Sequence, residues 1–147
     1  MLSGMELEET PAGLRSKPSW LLNKAAVRAH RLVVEAMTAA GGRAYHFSIL
    51  AALDEFGPDS QARIGQRCGI DQSDMHAMLR ELTEQGHVAR TTDPSDRRRN
   101  LITLTRPGQR RLKELDSVLS AVQDDVLKAL SPADRDHLVA LLTKVLD

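Results

Sequence analysis

Three consecutive arginines, Arg97, Arg98 and Arg99, follow a turn sequence in the segment DPSDRRRNLITLT, residues 93–105. Asp-Pro-Ser-Asp is typical of a turn, and residues 101–105 alternate as a strand does, so the segment predicts a hairpin with the arginines at its tip. Adjacent arginines are most often part of a solvated loop. On a projecting hairpin, however, guanidinium groups suit a phosphate track or a narrow minor groove of duplex DNA.

The total charge of the chain does not point to nucleic acid, because 20 lysines and arginines balance 20 aspartates and glutamates. The distribution of that charge is uneven. Residues 87–113 carry eight basic and two acidic residues, whereas residues 114–147 carry seven acidic and three basic ones. Basic charge is therefore concentrated around the predicted hairpin, where a polyanion could bind.

The chain has none of the common residue patterns of an enzyme. It contains no glycine-rich phosphate loop and no Gly-x-Ser-x-Gly, and the neighbouring carboxylates Asp124 and Asp125 share one helix surface instead of converging. The five histidines are not paired at a helical spacing of three or four residues, so a zinc site is not expected. We expect no catalytic residues, no cofactor and no metal.

The lone cysteine, Cys68, excludes an internal disulfide and fits a reducing compartment. A buried small hydrophobe is the favoured interpretation of this residue, and a redox-sensing thiol is the alternative. Nowhere in the chain do about 18 apolar residues run together, as a membrane-spanning helix requires. Together these observations predict a soluble cytoplasmic protein without a membrane partner.

Apolar residues recur at helical spacing through most of the chain and predict six helices around one hairpin. Gly69 is expected to close the third helix, Asp71 to cap the fourth, and Ser131 to cap the sixth. Residues 1–18 show no periodicity and predict a flexible, mobile segment. The helices are expected over residues 19–40, 47–56, 60–68, 71–85, 107–130 and 132–146, and the strands over residues 88–92 and 101–105.

The fourth helix has two distinct faces. At 100° per residue its apolar residues Met75, Met78, Leu79 and Leu82 fall on one side. The opposite side has a polar surface with short side chains at its N-terminal end, which suits close approach to another molecule. The residues on that side are Ser73, His76, Ala77, Arg80 and Glu84.

Helix, tight turn, helix and hairpin follow one another in the order of a winged helix-turn-helix. We therefore predict a mainly α fold with a small β-hairpin wing, in which the fourth helix would lie in the major groove of DNA. The long terminal helices carry apolar stripes that so small a domain cannot bury alone, which predicts a two-fold dimer. The expected organisation is a flexible segment (1–18), a dimerisation helix (19–43), a DNA-binding lobe (44–106) and dimerisation helices (107–147).

The wing and the helices before it resemble the multiple antibiotic resistance regulator (MarR) family. The wing pattern of that family is Asp-x-Arg followed by an apolar strand, Leu-Thr and a Gly, matched in DPSDRRRNLITLTRPGQRRL by Asp96, Arg98, Leu104-Thr105 and Gly108. The segment FSILAALDEFGPDSQARIGQRCGIDQSDMHAMLRELTEQGHVAR is similar to the second to fourth helices of the family. The resemblance covers roughly residues 19–146.

The resemblance implies a homodimeric transcriptional regulator, often a repressor. In such a protein the affinity for DNA falls when a small phenolic or other organic molecule, or an oxidant, engages a site between the dimer helices and the DNA-binding lobe. The implied partners are therefore double-stranded DNA, a second copy of the chain and a small organic effector.

The resemblance also implies roles for individual residues. Arg98 would enter the minor groove, Asp96 would orient it or brace the wing, and Arg97 and Arg99 would contact the backbone. Many members carry a small hydroxyl residue and an arginine in the fourth helix, where this chain has Asp74 and Ala77, so Arg80 is left as the main cation of that face. The residues expected to face the major groove are Gln72, Ser73, His76 and Arg80.

A candidate effector pocket near the junction of the lobe and the dimer helices is predicted from His30, Arg31, Tyr45, His46 and Phe47. The plainer interpretation is that Phe47 belongs to the core and the others to the surface. A winged helix that contacts only proteins is the alternative function, because Ala77 and the neutral total charge would suit it. DNA binding through several arginines weakens steeply with rising salt, whereas an apolar protein contact does not.

Overall fold

The structure, a computed structural model, describes the backbone of residues 4–147 and the side chains of residues 7–147. Within this range the chain forms eight helices and one hairpin, which confirms the predicted mainly α fold with a small β wing. The helices are α1 (Gly4–Glu9), α2 (Ala12–Arg15), α3 (Pro18–Ala39), α4 (Ala44–Phe56), α5 (Gln61–Cys68), α6 (Gln72–Glu84), α7 (Arg106–Val126) and α8 (Pro132–Leu146). The strands are β1 (Val88–Asp93) and β2 (Asp96–Leu104).

The chain divides into two compact units. The first consists of Met1–Glu35 and Ser120–Asp147, and the second of Ala36–Leu119, so α3 and α7 each contribute to both. The second unit contains α4, α5, α6 and the hairpin. The short helices α1 and α2 lie in the segment predicted to be mobile, of which residues 1–3 are outside the described residues.

The core of the second unit is built from aliphatic and methionine side chains. Helix α6 contributes one complete face to it, and the hairpin contributes Val88 and Ile102. Burying each large apolar side chain stabilises the fold by about 1.5–3 kcal/mol. The side chains that are almost completely buried in this unit are Met37, Ile49, Leu50, Ile64, Met75, Leu79, Leu82, Ile102 and Leu115.

Caps at both ends of a short turn define the helix-turn-helix. The Ser60 hydroxyl accepts a hydrogen bond from the backbone N–H of Arg63 (3.3 Å) and starts α5. Gly69 ends α5 in the left-handed conformation (φ 66°), which a glycine adopts without steric cost. Asp71 then accepts a hydrogen bond from the N–H of Asp74 (2.8 Å) and starts α6. The predicted tight turn and cap are confirmed.

The hairpin differs from the prediction in the extent of its second strand. Strand β2 begins at Asp96, so Arg97, Arg98 and Arg99 are strand residues next to the turn, not its tip. The buried Asp93 explains the difference, because its carboxylate accepts hydrogen bonds from the backbone N–H (2.9 Å) and the hydroxyl (2.7 Å) of Ser95. The turn therefore closes over two residues, with Asp93 opposite Asp96. The register then shifts, since Thr92 pairs with Asn100, and the three arginines lie in this irregularity of β2.

Two helix bounds were predicted incorrectly. Helix α4 starts at Ala44, three residues before the predicted start, and α7 ends at Val126 instead of Leu130. After α7 the backbone N–H of Leu130 bonds to the carbonyl of Leu127, a tighter turn than that of an α-helix. Ser131 then caps α8, as predicted, by accepting a hydrogen bond from the N–H of Asp134 (3.2 Å).

The first unit leaves much apolar surface in contact with solvent. On α8, the predicted inward residues Leu138 and Leu142 are half-buried, whereas Val145 (64% exposed) and Leu146 (87% exposed) are not buried within the single chain. On α3, Val27 is 62% exposed. These helices therefore carry more apolar surface than one copy of the chain covers. Further large apolar side chains exposed on α3 and α8 are Leu21, Leu22, Val34, Val139 and Leu141.

Candidate nucleic-acid interface

Helix α6 divides into a buried and an exposed face, as its spacing predicts. Met75, Leu79 and Leu82 are at most 1% exposed, and Met78 is also buried. The opposite face consists of exposed residues, and it begins at Gln72, the first residue of the helix. The exposed residues of this face are Gln72, Ser73, His76, Ala77, Arg80 and Glu84.

The N-terminus of α6 is held by Asp71. Besides the N–H of Asp74, the carboxylate of Asp71 accepts a hydrogen bond from the Ser73 hydroxyl (3.0 Å). These bonds, first that from the Asp74 N–H and then that from Ser73, lower the pKa of Asp71. Asp74 itself is half-buried, so it belongs to the cap region and not to the exposed face. Ser73 therefore presents its hydroxyl in a fixed orientation.

The wing contains one arginine, Arg98, that is held by a carboxylate, and two, Arg97 and Arg99, that are not. The Asp96 carboxylate accepts hydrogen bonds from the backbone N–H (3.0 Å) and from Nε (3.4 Å) of Arg98, whose side chain is 92% exposed. Asp96 thus directs the guanidinium into solvent without covering it. Arg97 and Arg99 are also exposed, and neither forms an ion pair with a carboxylate of the described residues.

A close contact holds the base of the wing against the start of α7. The Thr105 hydroxyl donates to the carbonyl of Gly86 (2.6 Å) and accepts from the N–H of Gly108 (3.0 Å). A Cβ at Gly108 would overlap the carbonyl oxygen of His87, so this position requires glycine. The Leu-Thr…Gly part of the wing pattern is therefore explained by packing at the wing base.

A buried histidine links α6 to α4. His46 is 2% exposed, and its Nε2 donates to Glu81 of α6 across 2.7 Å, while Nε of Arg43 lies 3.1 Å from the same carboxylate oxygen. Burial lowers the pKa of His46, and the nearby charges of Arg43 and Arg111 lower it further, although the hydrogen bond to Glu81 opposes this shift. The sequence gives no sign of this pairing, because 35 residues separate the partners.

The residues predicted for an effector pocket do not all belong to one unit. His30, exposed, and Arg31, paired with Glu35 (3.2 Å), are in the first unit. In the second unit Tyr45 is exposed, Phe47 is half-buried, and His46 lines a cavity of about 470 Å³ at the start of α4. Of the five predicted residues, His46 is the one that lines this cavity.

Cys68 is half-buried, and its Sγ donates a hydrogen bond to the carbonyl of Ser48 (3.4 Å). Burial raises the pKa of the thiol, which lowers its reactivity. This environment favours the interpretation of Cys68 as a small hydrophobe. Across the described residues no group of three histidine, cysteine or acidic side chains is placed to hold a metal. No helix in residues 4–147 is both long and apolar enough to cross a bilayer.

We expect the free energy of unfolding to decrease as the pH falls below about 6.5. The pKa of His46 is lower in the folded than in the unfolded chain, so the unfolded chain binds more protons in this range. His87, whose pKa is lowered in the same direction mainly by burial, adds to the effect. Urea unfolding between pH 8 and pH 5 measures it.

His46→Gln should flatten this pH dependence in part, because the contribution of His87 remains. His137→Gln, on the exposed face of α8, is the matched control and should retain the wild-type dependence. If His46→Gln kept the full pH dependence, the assignment to His46 would be wrong.

Comparison with known proteins connects this geometry to a family. The model of the MarR family matches residues 37–99, which contain α4, α5, α6 and most of the hairpin. Solved structures extend the likeness to most of the chain. BpsR of Bordetella bronchiseptica, studied for the regulation of its DNA binding by 6-hydroxynicotinic acid, is 27% identical with a TM-score of 0.79, over 94% of this chain and 99% of BpsR.

Two structures of CouR are similar as well. The transcriptional repressor CouR bound to a 23-mer DNA duplex is 26% identical with a TM-score of 0.82, over 92% of this chain and 96% of CouR. CouR from Rhodococcus jostii RHA1 bound to p-coumaroyl-CoA is 25% identical with a TM-score of 0.74, over 92% and 95% of the two chains. Together with the helix-turn-helix and the wing arginine held by Asp96, these matches support a DNA-binding transcriptional regulator whose residues 37–99 form a winged helix-turn-helix of the MarR type.

Proposed function

We propose that the protein is a homodimeric repressor that binds a pseudo-palindromic DNA site and is released from it by a small organic effector. The observation that carries this proposal is the pairing, within one unit, of an exposed polar face on α6 with a wing whose Arg98 is braced by Asp96 and otherwise open to solvent. The structure of the repressor CouR on a DNA duplex supports the same use of this fold.

The proposed contacts follow from exposure and charge. Arg98 enters the minor groove, where the negative potential is concentrated, and Asp96 orients it. Arg97 and Arg99 contact the phosphate backbone. Four exposed residues at the start and middle of α6 face the base edges of the major groove: Gln72, Ser73, His76 and Arg80.

The proposed dimer is supported by the apolar surface of the first unit. Val27 of α3 and Val145 of α8 are each more than 60% exposed in the single chain, and a second copy would cover such side chains. We assign residues 19–43 and 107–147 to dimerisation and residues 44–106 to DNA binding. In a two-fold dimer the two α6 helices would enter major grooves roughly 34 Å apart.

The proposed effector site is the cavity of about 470 Å³ at the start of α4. Its volume is in the range of small-molecule sites, and its lining supplies hydrogen-bond donors for a carboxylate or hydroxyl group. A ligand that binds Arg43 or His46 competes with Glu81, whose carboxylate ties α6 to α4. The regulation of BpsR by 6-hydroxynicotinic acid and the binding of p-coumaroyl-CoA by CouR support an aromatic organic ligand. The lining residues are Thr38, Gly41, Gly42, Arg43, His46, Glu81 and Gln85.

A winged helix that contacts only proteins is the alternative, favoured by Ala77 at the centre of the exposed face. The two functions differ in their dependence on salt. Binding through several phosphate contacts loses orders of magnitude in affinity between low and moderate salt, whereas an apolar contact does not.

Selection of bound duplexes from a random pool tests the proposed function as a whole. We expect the wild-type protein to enrich an inverted repeat whose half-sites are separated by about one helical turn. Arg80→Ala should enrich sites in which one base position of each half-site has lost its preference. Its binding free energy for the wild-type site should be weaker by about 1–3 kcal/mol. An enriched pool without two-fold symmetry would contradict the dimer, and equal losses on specific and random duplexes would make Arg80 a phosphate contact.

Arg98→Ala should lower the affinity for the selected duplex about tenfold or more, because it removes one minor-groove cation from each protomer. Lys113→Ala, an exposed cation of α7 outside the proposed contacts, is the control and should bind as the wild type does. Sizing of both variants confirms that the oligomer is unchanged. A binding curve for Arg98→Ala that coincides with the wild-type curve would refute the wing assignment.

Hydroxylated aromatic acids should raise the melting temperature of the wild type by mass action and lower its affinity for DNA. Thr38→Trp, a substitution of an exposed cavity-lining residue, should abolish both effects while leaving DNA binding without ligand intact. Thermal unfolding and duplex binding with and without the acid measure the outcome. An equal rise in melting temperature in Thr38→Trp would place the ligand outside this cavity.

A further inference from the structure

A second cleft lies on the outward face of α6. It has a volume of about 240 Å³, and four of its lining residues come from α6 itself. The fifth is Arg90 of β1, which lies outside the residues predicted to contact DNA. The hairpin therefore adds a cation to the face that α6 presents. The α6 residues of this cleft are His76, Arg80, Thr83 and Glu84.

The register of the hairpin explains why Arg90 reaches this cleft. Arg90 pairs with Ile102, and Val88 pairs with Leu104. Residues directly opposite one another in an antiparallel pair have side chains on the same face. Ile102 and Val88 are buried, so Arg90 starts on the helix-facing side of the hairpin while remaining exposed overall. Its aliphatic stem thus begins beside the core and its charged end reaches solvent.

The guanidinium of Arg90 is oriented without being neutralised. Its Nη2 donates a long hydrogen bond (3.4 Å) to the side-chain carbonyl of Gln61, the first residue of α5. An amide accepts a hydrogen bond but carries no charge, and a guanidinium has five N–H donors. Most of the donors of Arg90 are therefore free for an anion, at a position between α5, α6 and the wing.

The charged side chains of this cleft are two arginines and one glutamate, so the cleft is net positive. Neither Arg80 nor Arg90 forms an ion pair with a carboxylate of the described residues, although Glu84 lines the same cleft. In the same unit Arg43 and Arg67 are paired with Glu81 and Asp59. Two unpaired arginines in one cleft repel each other, and an anion bound between them would relieve that repulsion.

We propose that Arg90 is a further DNA-binding residue, which contacts a backbone phosphate beside the base edges that face α6. This inference rests on the proposed function. In the resulting interface Arg80 approaches the bases, Arg98 the minor groove, and Arg90 the phosphate chain between them. Phosphate contacts fix the register of a protein on the duplex, so Arg90 sets the position from which α6 meets the bases.

The test measures the affinity for the selected duplex as a function of salt concentration. Arg90→Gln should reduce the affinity about tenfold near 0.15 M salt. The plot of log K for DNA binding against log salt should become less steep by about 2, because each of the two protomers loses one phosphate contact. Arg90→Lys should restore the slope, since it keeps the charge. Gln61→Ala should weaken binding less than Arg90→Gln does, and the double variant should bind as Arg90→Gln does.

Arg110→Gln is the matched control, because Arg110 is exposed on α7, is not part of the cleft, and undergoes the same change of charge. It should retain the wild-type slope, and thermal unfolding verifies that every variant is folded. Unchanged affinity and slope in Arg90→Gln would overturn the inference. So would a loss confined to the specific duplex, which would make Arg90 a base-reading residue, or an equal loss in Arg90→Lys, which would indicate a structural role.

The failure of this inference is distinguishable from failure of the proposed function. If the wild type binds the duplex, Arg98→Ala weakens that binding, and Arg90→Gln matches the wild type, the assignment of Arg90 alone is wrong. If the wild type shows no salt-dependent binding to any duplex, the proposed function is wrong and the assignment of Arg90 is wrong with it.

Discussion

The burial of one face of α6 is the constraint on which the rest of this structure depends. Met75, Leu79 and Leu82 are almost inaccessible to solvent, so the helix cannot rotate about its axis without exposing them. The polar face is thereby fixed outward. The hydrogen bond between His46 and Glu81 adds a directional contact to this apolar packing. A tight turn at Gly69 and a cap at Asp71 set where the helix begins, so its orientation and its start are both determined.

The arginines of the second unit fall into two groups that differ in their partners. Arg43 and Arg67 face carboxylates of the chain, and Arg67 also stacks over the ring of Phe56 at 4.1 Å. Arg80, Arg90 and Arg97 have no such carboxylate among the described residues. A neutral total charge is thus compatible with an anion-binding surface, because the balance is reached by acidic residues elsewhere in the chain.

The carboxylate of Glu81 connects the proposed effector cavity to α6, the helix proposed to contact the bases. It lines the cavity, accepts the hydrogen bond of His46 and belongs to α6, one residue after Arg80. A ligand changes a conformational equilibrium only through a difference in its affinity for the two states. Competition for Arg43 or His46 would supply such a difference, since it acts on the contact that holds α6 against α4.

The sequence by itself determined the helices α3 to α8, the hairpin and their order, but not the short helices α1 and α2. Helical spacing, Gly69, Asp71 and Ser131 predicted the helices and their caps, and the exposed residues of α6 agreed with a simple rotation of 100° per residue. These features depend on local interactions, which short stretches of sequence encode. The site residues proposed for DNA contact could be named for the same reason, although their roles came from the resemblance to a family.

Only the tertiary structure decided the contacts between distant residues. The closing of the turn by the buried Asp93, the pairing of His46 with Glu81 and the position of Arg90 beside α6 were not predictable from spacing. Each depends on which elements pack together and in which register. Residues far apart in the chain meet because apolar faces are buried against one another, and the polar side chains that lie next to those faces are brought together by that packing.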